Sequence, residues 1–112
     1  MMKELQKRIR YANLFNIYHS LLSKTQQEIM NDYFNLDLSL SEIAINRDIS
    51  RSAVDDALKK AMNKLDEFED KIKVLEKNDN IKNKLSLIKQ KALNLQEVEE
   101  IEDIEKELDY GI

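Results

Sequence analysis

The stretch SRSAVDDALKKAMNK gathers Arg51, Ser52, Lys59, Lys60 and Lys64 on one short segment between Ser50 and Lys64. On a helix whose Val54, Leu58 and Leu65 turn inward, the outward positions are Arg51, Ser52, Asp55, Asp56, Lys59 and Asn63. A guanidinium and a hydroxyl at the start of such a helix can reach base edges in a major groove. Lys59, Lys60 and Lys64 further along can meet phosphate. With Arg47 just upstream, these residues form the expected surface for nucleic acid or another partner. Asp55 and Asp56 oppose that use. A carboxylate can accept from cytosine N4, but beside phosphates it is repelled, and neutralised phosphates supply most of the binding energy. As a reader of duplex DNA the face is poor.

Secondary basic contacts are expected at Arg8 and Arg10 near the N-terminus and at Lys82, Lys84, Lys89 and Lys91 toward the C-terminus. Other chemistry is largely excluded. One His and no Cys remove the common zinc constellations, and His19 is expected to be a structural residue near the core stripe of its helix. With Gly111 as the only glycine, neither a P-loop nor a dinucleotide-binding turn can form. The carboxylates are spaced along surfaces, with no octahedral ligand pattern among them. No catalytic residue, metal or cofactor is expected, and the chain reads as a non-enzyme.

The elements that must position these residues are all helices. One Gly, no Pro and 36% charged residues leave almost none of the punctuation that hairpins need. Leu5, Ile9, Ala12, Phe15 or Asn16, and His19 form a stripe on a first helix over 3–22, widened by Leu14, Ile17, Tyr18, Leu21 and Leu22. Ser23 with Gln26 reads as a capping box, opening a second helix that turns Ile29, Met30, Tyr33 and Phe34 inward. Ser39 with Glu42 is another, opening a third helix through Arg47. Ile43 and the small Ala44 suit a close helix crossing. Asp48 then takes the left-handed turn position, Ile49 plugs the turn, and Ser50 caps a fourth helix. Small residue, turn former, plug, cap and β-branched anchor in that order predict a helix-turn-helix.

From Val54 to Leu75 the apolar residues recur at steps of three and four, so the fourth helix is expected to run unbroken over 50–77, about 40 Å long. Its far end, with Phe68, Ile72 and Leu75, needs a surface beyond the first three helices. The joint is expected at Lys77–Asn80 (KNDN), dividing the chain into a helix-turn-helix bundle over 1–77 and an amphipathic helical extension over 78–112. The extension either folds back or pairs across a dimer, and a homodimer is expected because so small a core gains from association. Charge is uneven. From Leu95 onward eight acids stand against Lys106, a balance of −7, while the rest of the chain carries 17 Lys+Arg against 14 acids, or +3. No apolar run approaches the roughly 20 residues of a membrane span, and the first residues lack a signal-peptide apolar stretch. No membrane insertion and a cytoplasmic location are expected.

The stretch from Leu21 to Ile72 resembles the promoter-reading region 4 of bacterial sigma factors, and more closely the YlxM family of small sigma-region-4-like proteins. The matching pieces are Leu21-Leu22, Gln26, Met30, Tyr33-Phe34, Asp37, Ser39-Leu40, Glu42-Ile43-Ala44, Ser50-Arg51, Ala53-Val54, Asp56, Lys59 and KLDEFEDKI. The likeness covers about Leu14 to Lys77. It implies an all-α fold with a long fourth helix and an accessory or regulatory role in the bacterial signal recognition particle pathway, acting on the particle's RNA and GTPase. Where the family reads RQAVYD, this chain reads RSAVDD, so Ser52 and Asp55 replace a Gln and an aromatic. Arg47 replaces an aromatic before the turn.

Three functions follow as expectations. The first is that accessory role, with particle RNA and GTPase as partners reached through scattered Lys and Arg, since structured RNA is bound largely through phosphates, shape and 2′-hydroxyls. The second is a dimeric transcriptional regulator with weak DNA binding. The third is a protein-only adaptor that uses the long helices.

Overall fold

The computed structural model describes residues 2–92 and 94–109. Six helices follow one another, and among the described residues no strand occurs. They are α1 (Met2–Tyr18), α2 (Lys24–Phe34), α3 (Leu40–Arg47), α4 (Arg51–Ile72), α5 (Val74–Gln90) and α6 (Leu95–Glu107), with a 3-10 turn at His19–Leu21 after α1. The all-α class expected from composition is the class observed.

Local chemistry sets most boundaries. The Ser23 hydroxyl accepts from Gln26 N–H at 3.2 Å while the Gln26 side chain accepts from Ser23 N–H at 3.1 Å. Ser39 and Glu42 repeat the reciprocal pair at 3.1 and 3.2 Å. These are two of the donors that a helix start leaves without partners. Ser50 accepts from Ala53 N–H, and Asn94 accepts from Glu97 N–H.

Helix α4 is the spine, packed against α1, α2 and α3. Val54, Leu58, Ala61 and Leu65 present its buried stripe to Leu14, Ile17, Tyr18, Ile29, Met30 and Ile43. On α1 the burial begins only at Leu14. Leu5 and Ile9, expected on the core stripe, are about half exposed at 55% and 52%, because α2 ends before covering the first turns of α1. His19 also departs from expectation. It lies exposed in the 3-10 turn, its ring edge-on to Phe15 at 5.9 Å and its Nδ1 3.2 Å from Asn16 O.

The fourth helix does not run to Lys77. It ends at Ile72, and Lys73 takes a left-handed conformation (φ 58°, ψ 34°) before α5 begins. Residues 77–80, expected as the joint, lie inside α5, so the division at 77/78 is no element boundary. The cause is a cap built from distant side chains. Tyr18 donates its hydroxyl to Glu69 Oε1 at 2.7 Å and accepts from Val74 N–H at 3.0 Å. The buried Glu69 carboxylate then accepts from Leu75 N–H at 3.1 Å and Glu76 N–H at 3.2 Å. Three orphan donors of α5 are satisfied at once, with no side-chain cap from Lys73 itself. The bend lets Val74 and Leu75 pack on the core beside Phe68, whose ring lies 6.0 Å from that of Tyr18.

The extension folds back as a hairpin. Helix α5 meets α1 at its start, and α6 packs along α5. Ile101 is buried, Asn78 Nδ2 donates to Leu108 O at 3.0 Å, and Asn16 Nδ2 donates to Asp109 O at 2.9 Å. Lys89 pairs with Glu102 at 3.0 Å and Glu105 at 3.6 Å, and Lys82 pairs with Asp109. The whole measures 57 × 27 × 27 Å, elongated because the hairpin extends the bundle.

Candidate nucleic-acid interface

The turn between α3 and α4 has the expected geometry. Asp48 is left-handed (φ 54°, ψ 46°), its N–H bonded to Ile45 O at 3.3 Å, and Ile49 N–H reaches back to Ala44 O at 3.1 Å. An αL residue closing a helix satisfies carbonyls that the helix end would leave bare. Ile43 and Ala44 are buried at the crossing as expected. Ile49 is not a sealed plug: it is 40% exposed, and Ile45 beside it is 79% exposed. Ile43, Val54 and Leu58 already fill the space beneath, so the two isoleucines rim the turn.

On α4 the outward residues are spaced as expected, but their charges are spent on one another. Lys59 Nζ lies 2.8 Å from Asp55 Oδ2, and Lys60 Nζ lies 3.0 Å from Asp56 Oδ2, both four residues apart along the helix. Each acid thus neutralises the lysine one turn later. The Asp55 hydrogen bond holds the exposed Lys59 ammonium charged beyond its usual range. Arg51, Ser52 and Lys64 are exposed, and no ion pair joins Arg51 or Lys64 to another described residue. The face therefore offers two free cations and a hydroxyl around two self-neutralised pairs.

Arg47 is placed elsewhere. Its Nε donates to Asp32 Oδ2 at 2.6 Å and its Nη1 to Glu28 Oε2 at 3.0 Å, fastening α3 to α2. Asp32 is buried, and its hydrogen bond is the main reason that the Arg47 guanidinium is held charged even more firmly than usual. These bonds engage Nε and Nη1 of Arg47 with the acids of α2.

The secondary cations divide likewise. Arg8 donates to Tyr33 O at 2.6 Å and Asp37 Oδ1 at 2.9 Å, and its guanidinium lies 4.5 Å from the Tyr33 ring centre, tying α1 to the end of α2. Arg10 lies 3.7 Å from Asp66. Lys82 and Lys89 face the acids of α6. Lys84 and Lys91 are exposed, with no ion pair among the described residues. The expected sites are thus not one patch: α4 carries one group, the α5 hairpin another, and Arg8, Arg10 and Arg47 are ion-paired within the bundle.

Sequence reading missed two features. One is Glu69, a buried carboxylate that periodicity alone leaves as one more surface acid. The other is a groove of about 800 Å³ beside α4, lined by Met2, Leu5, Tyr33, Phe34, Leu58 and Met62, with Asp55 and Lys59 on its rim. The exposed Leu5 was its only sequence signal, and that residue reads as core. Among the described residues no cluster of His, Cys, Asp or Glu can hold a metal ion, and no helix is long and apolar enough to cross a membrane.

A short helix with a buried Ile-Ala pair, a one-residue left-handed turn and a Ser-capped longer helix define a helix-turn-helix protein. The chain belongs to the family described as "Putative helix-turn-helix protein, YlxM / p13 like", which matches residues 5–106. A UPF0122 protein of Fusobacterium nucleatum is 43% identical over 86 residues, covering 77% of this chain and 84% of its own. One from Bacillus velezensis is 38% identical over 106 residues, covering 91% of this chain and 96% of its own. One from Clostridium acetobutylicum is 33% identical over 111 residues, covering 93% and 96%. No solved structure matches the chain. The family match extends through α5 and most of α6, well past the Leu14–Lys77 stretch that carries the resemblance to the eye.

Proposed function

We propose that this protein is an accessory component of the bacterial signal recognition particle pathway, engaging the particle's RNA, its GTPase or both, and modulating the GTPase. The observation that carries the reading is the self-neutralised face of α4. A helix-turn-helix that keeps its shape but pairs Lys59 with Asp55 and Lys60 with Asp56 offsets part of the phosphate attraction on which duplex binding depends. The YlxM membership supports the choice of pathway, since that family is regarded as accessory to the particle. Arg51, Ser52 and Lys64 are the contacts assigned to RNA phosphate and 2′-hydroxyl.

The test is the GTP turnover of the particle with its receptor, with and without this chain. A change in rate that saturates as the chain is added supports the reading. An unchanged rate, with no co-sedimentation of chain and particle, overturns it.

A second reading, a dimeric transcriptional regulator, is favoured by one observation. Arg51 and Ser52 stand free at the start of α4, where a reading helix presents its base contacts. It requires selection of one duplex sequence over others.

A further inference from the structure

The hairpin of α5 and α6 carries a register that its own contacts do not use up. Lys82 pairs with Asp109 and Lys89 with Glu102. Seven residues up α5 therefore correspond to seven residues down α6. By the same register Lys84 stands level with Glu107, and Lys91 with Glu100. All four are exposed, and no ion pair joins any of them to a described residue.

Their positions around the helices explain why. At about 100° per residue, Lys84 and Lys91 form a stripe on the edge of α5 turned away from α6. Ile81 and Ile88 lie about 50° nearer to α6. On α6, Glu100 and Glu107 form the outer stripe, with Ile104 about 50° nearer to α5. Viewed from one end, antiparallel helices wind in opposite senses, so Ile81, Ile88 and Ile104 open on the same side of the hairpin. They are 40%, 55% and 44% exposed. That side is an apolar strip bordered by lysine on one edge and glutamate on the other.

We propose that this strip is the interface for a second copy of the chain, the two hairpins stacking face to face as an antiparallel four-helix bundle. A two-fold axis parallel to the helices sets α6 of the second copy over α5, antiparallel to it. Such a rotation leaves every residue at its own level, so the register survives. Lys84 then meets Glu107 of the second copy, and Lys91 meets its Glu100. The same two pairs form again on the other edge, as an isologous contact requires. The isoleucines meet inside, in the arrangement of a bundle core. A second copy is the fitting occupant because both edges are complementary in sign and in level to the same hairpin turned over. The contact also takes Lys84 and Lys91 away from the expected nucleic-acid surface.

Sedimentation equilibrium of the full chain tests this with two charge-reversed variants, Lys84→Glu/Lys91→Glu and Glu100→Lys/Glu107→Lys. Both leave Lys82, Lys89 and their partners in place, and helicity by circular dichroism checks that each variant folds. The wild type is expected to dimerise. Each variant alone faces like charges on both edges, and its dissociation constant should rise on the order of a hundredfold. An equimolar mixture of the two restores opposite charges on both edges and should recover the dimer. A wild type that stays monomeric, a dimer indifferent to the reversals, or a mixture that does not re-associate would overturn the proposal.

Discussion

Asp55 and Asp56 decide what α4 can touch. Converting both to Asn keeps the shape of the face and releases Lys59 and Lys60 for phosphate. Binding of the full chain to structured RNA should tighten, and the slope of log affinity against log salt should steepen by about one per freed lysine. Titration at several salt concentrations measures both; an unchanged slope would mean that those lysines never approach phosphate. Tyr18 has an equally specific role in the fold. Burial first, then its bond to Glu69, pushes its phenol up from the ordinary value, and burial with Asp66 does the same for Tyr11. A raised folded-state value means that the folded protein holds the proton that the unfolded chain releases. The contribution is therefore complete below about pH 10 and is lost as pH rises through the folded-state values. Tyr18→Phe should cost about 1–3 kcal/mol at neutral pH, because Val74 N–H and Glu69 each lose a partner. Its stability should also fall less steeply in alkali than that of the wild type, as urea unfolding at neutral and alkaline pH would record.

Elements are joined in two ways here, and the difference explains what could be read in advance. Capping boxes at Ser23 and Ser39, the turn at Asp48 and the cap at Ser50 act within a few residues, so the sequence displays them directly. The end of α4 is different. Lys73 is neither Gly, Pro nor Asn, and the helix breaks there because Tyr18 and Glu69, far apart in sequence, converge on the start of α5. Periodicity cannot show a cap of that kind, which is why the apolar pattern reads straight through to Lys77. The same holds for the site. Lys59 and Lys60 read as free cations until their helix-neighbour acids are weighed, and Arg47 reads as a binding residue until α2 brings Glu28 and Asp32 against it. That last contact predicts an element-level effect. Arg47→Ala leaves the buried Asp32 carboxylate without its cation and should cost about 2–3 kcal/mol, measured as a lowered urea midpoint. An unaltered midpoint would mean that α3 is held by Ile43 and Ala44 alone.

At the scale of the molecule, a helix-turn-helix bundle is extended by an acidic hairpin, closed on itself by Asn78 and Lys82 and joined to the bundle through Asn16 and Tyr18. Within that shape Lys59 and Lys60 pair with Asp55 and Asp56 along α4, and Lys82 and Lys89 of α5 pair with Asp109 and Glu102. On the reading face of α4 the exposed cations without an ion pair are Arg51 and Lys64, flanking two pairs whose acids offset their lysines. The most direct test is a fluorescence-anisotropy titration of the full chain against signal recognition particle RNA and against mixed-sequence duplex DNA of equal length, at low and moderate salt. A preference for the RNA that weakens as salt rises is expected. A preference for the duplex, or a single duplex sequence bound above the rest, would contradict it and return α4 to the reading of DNA.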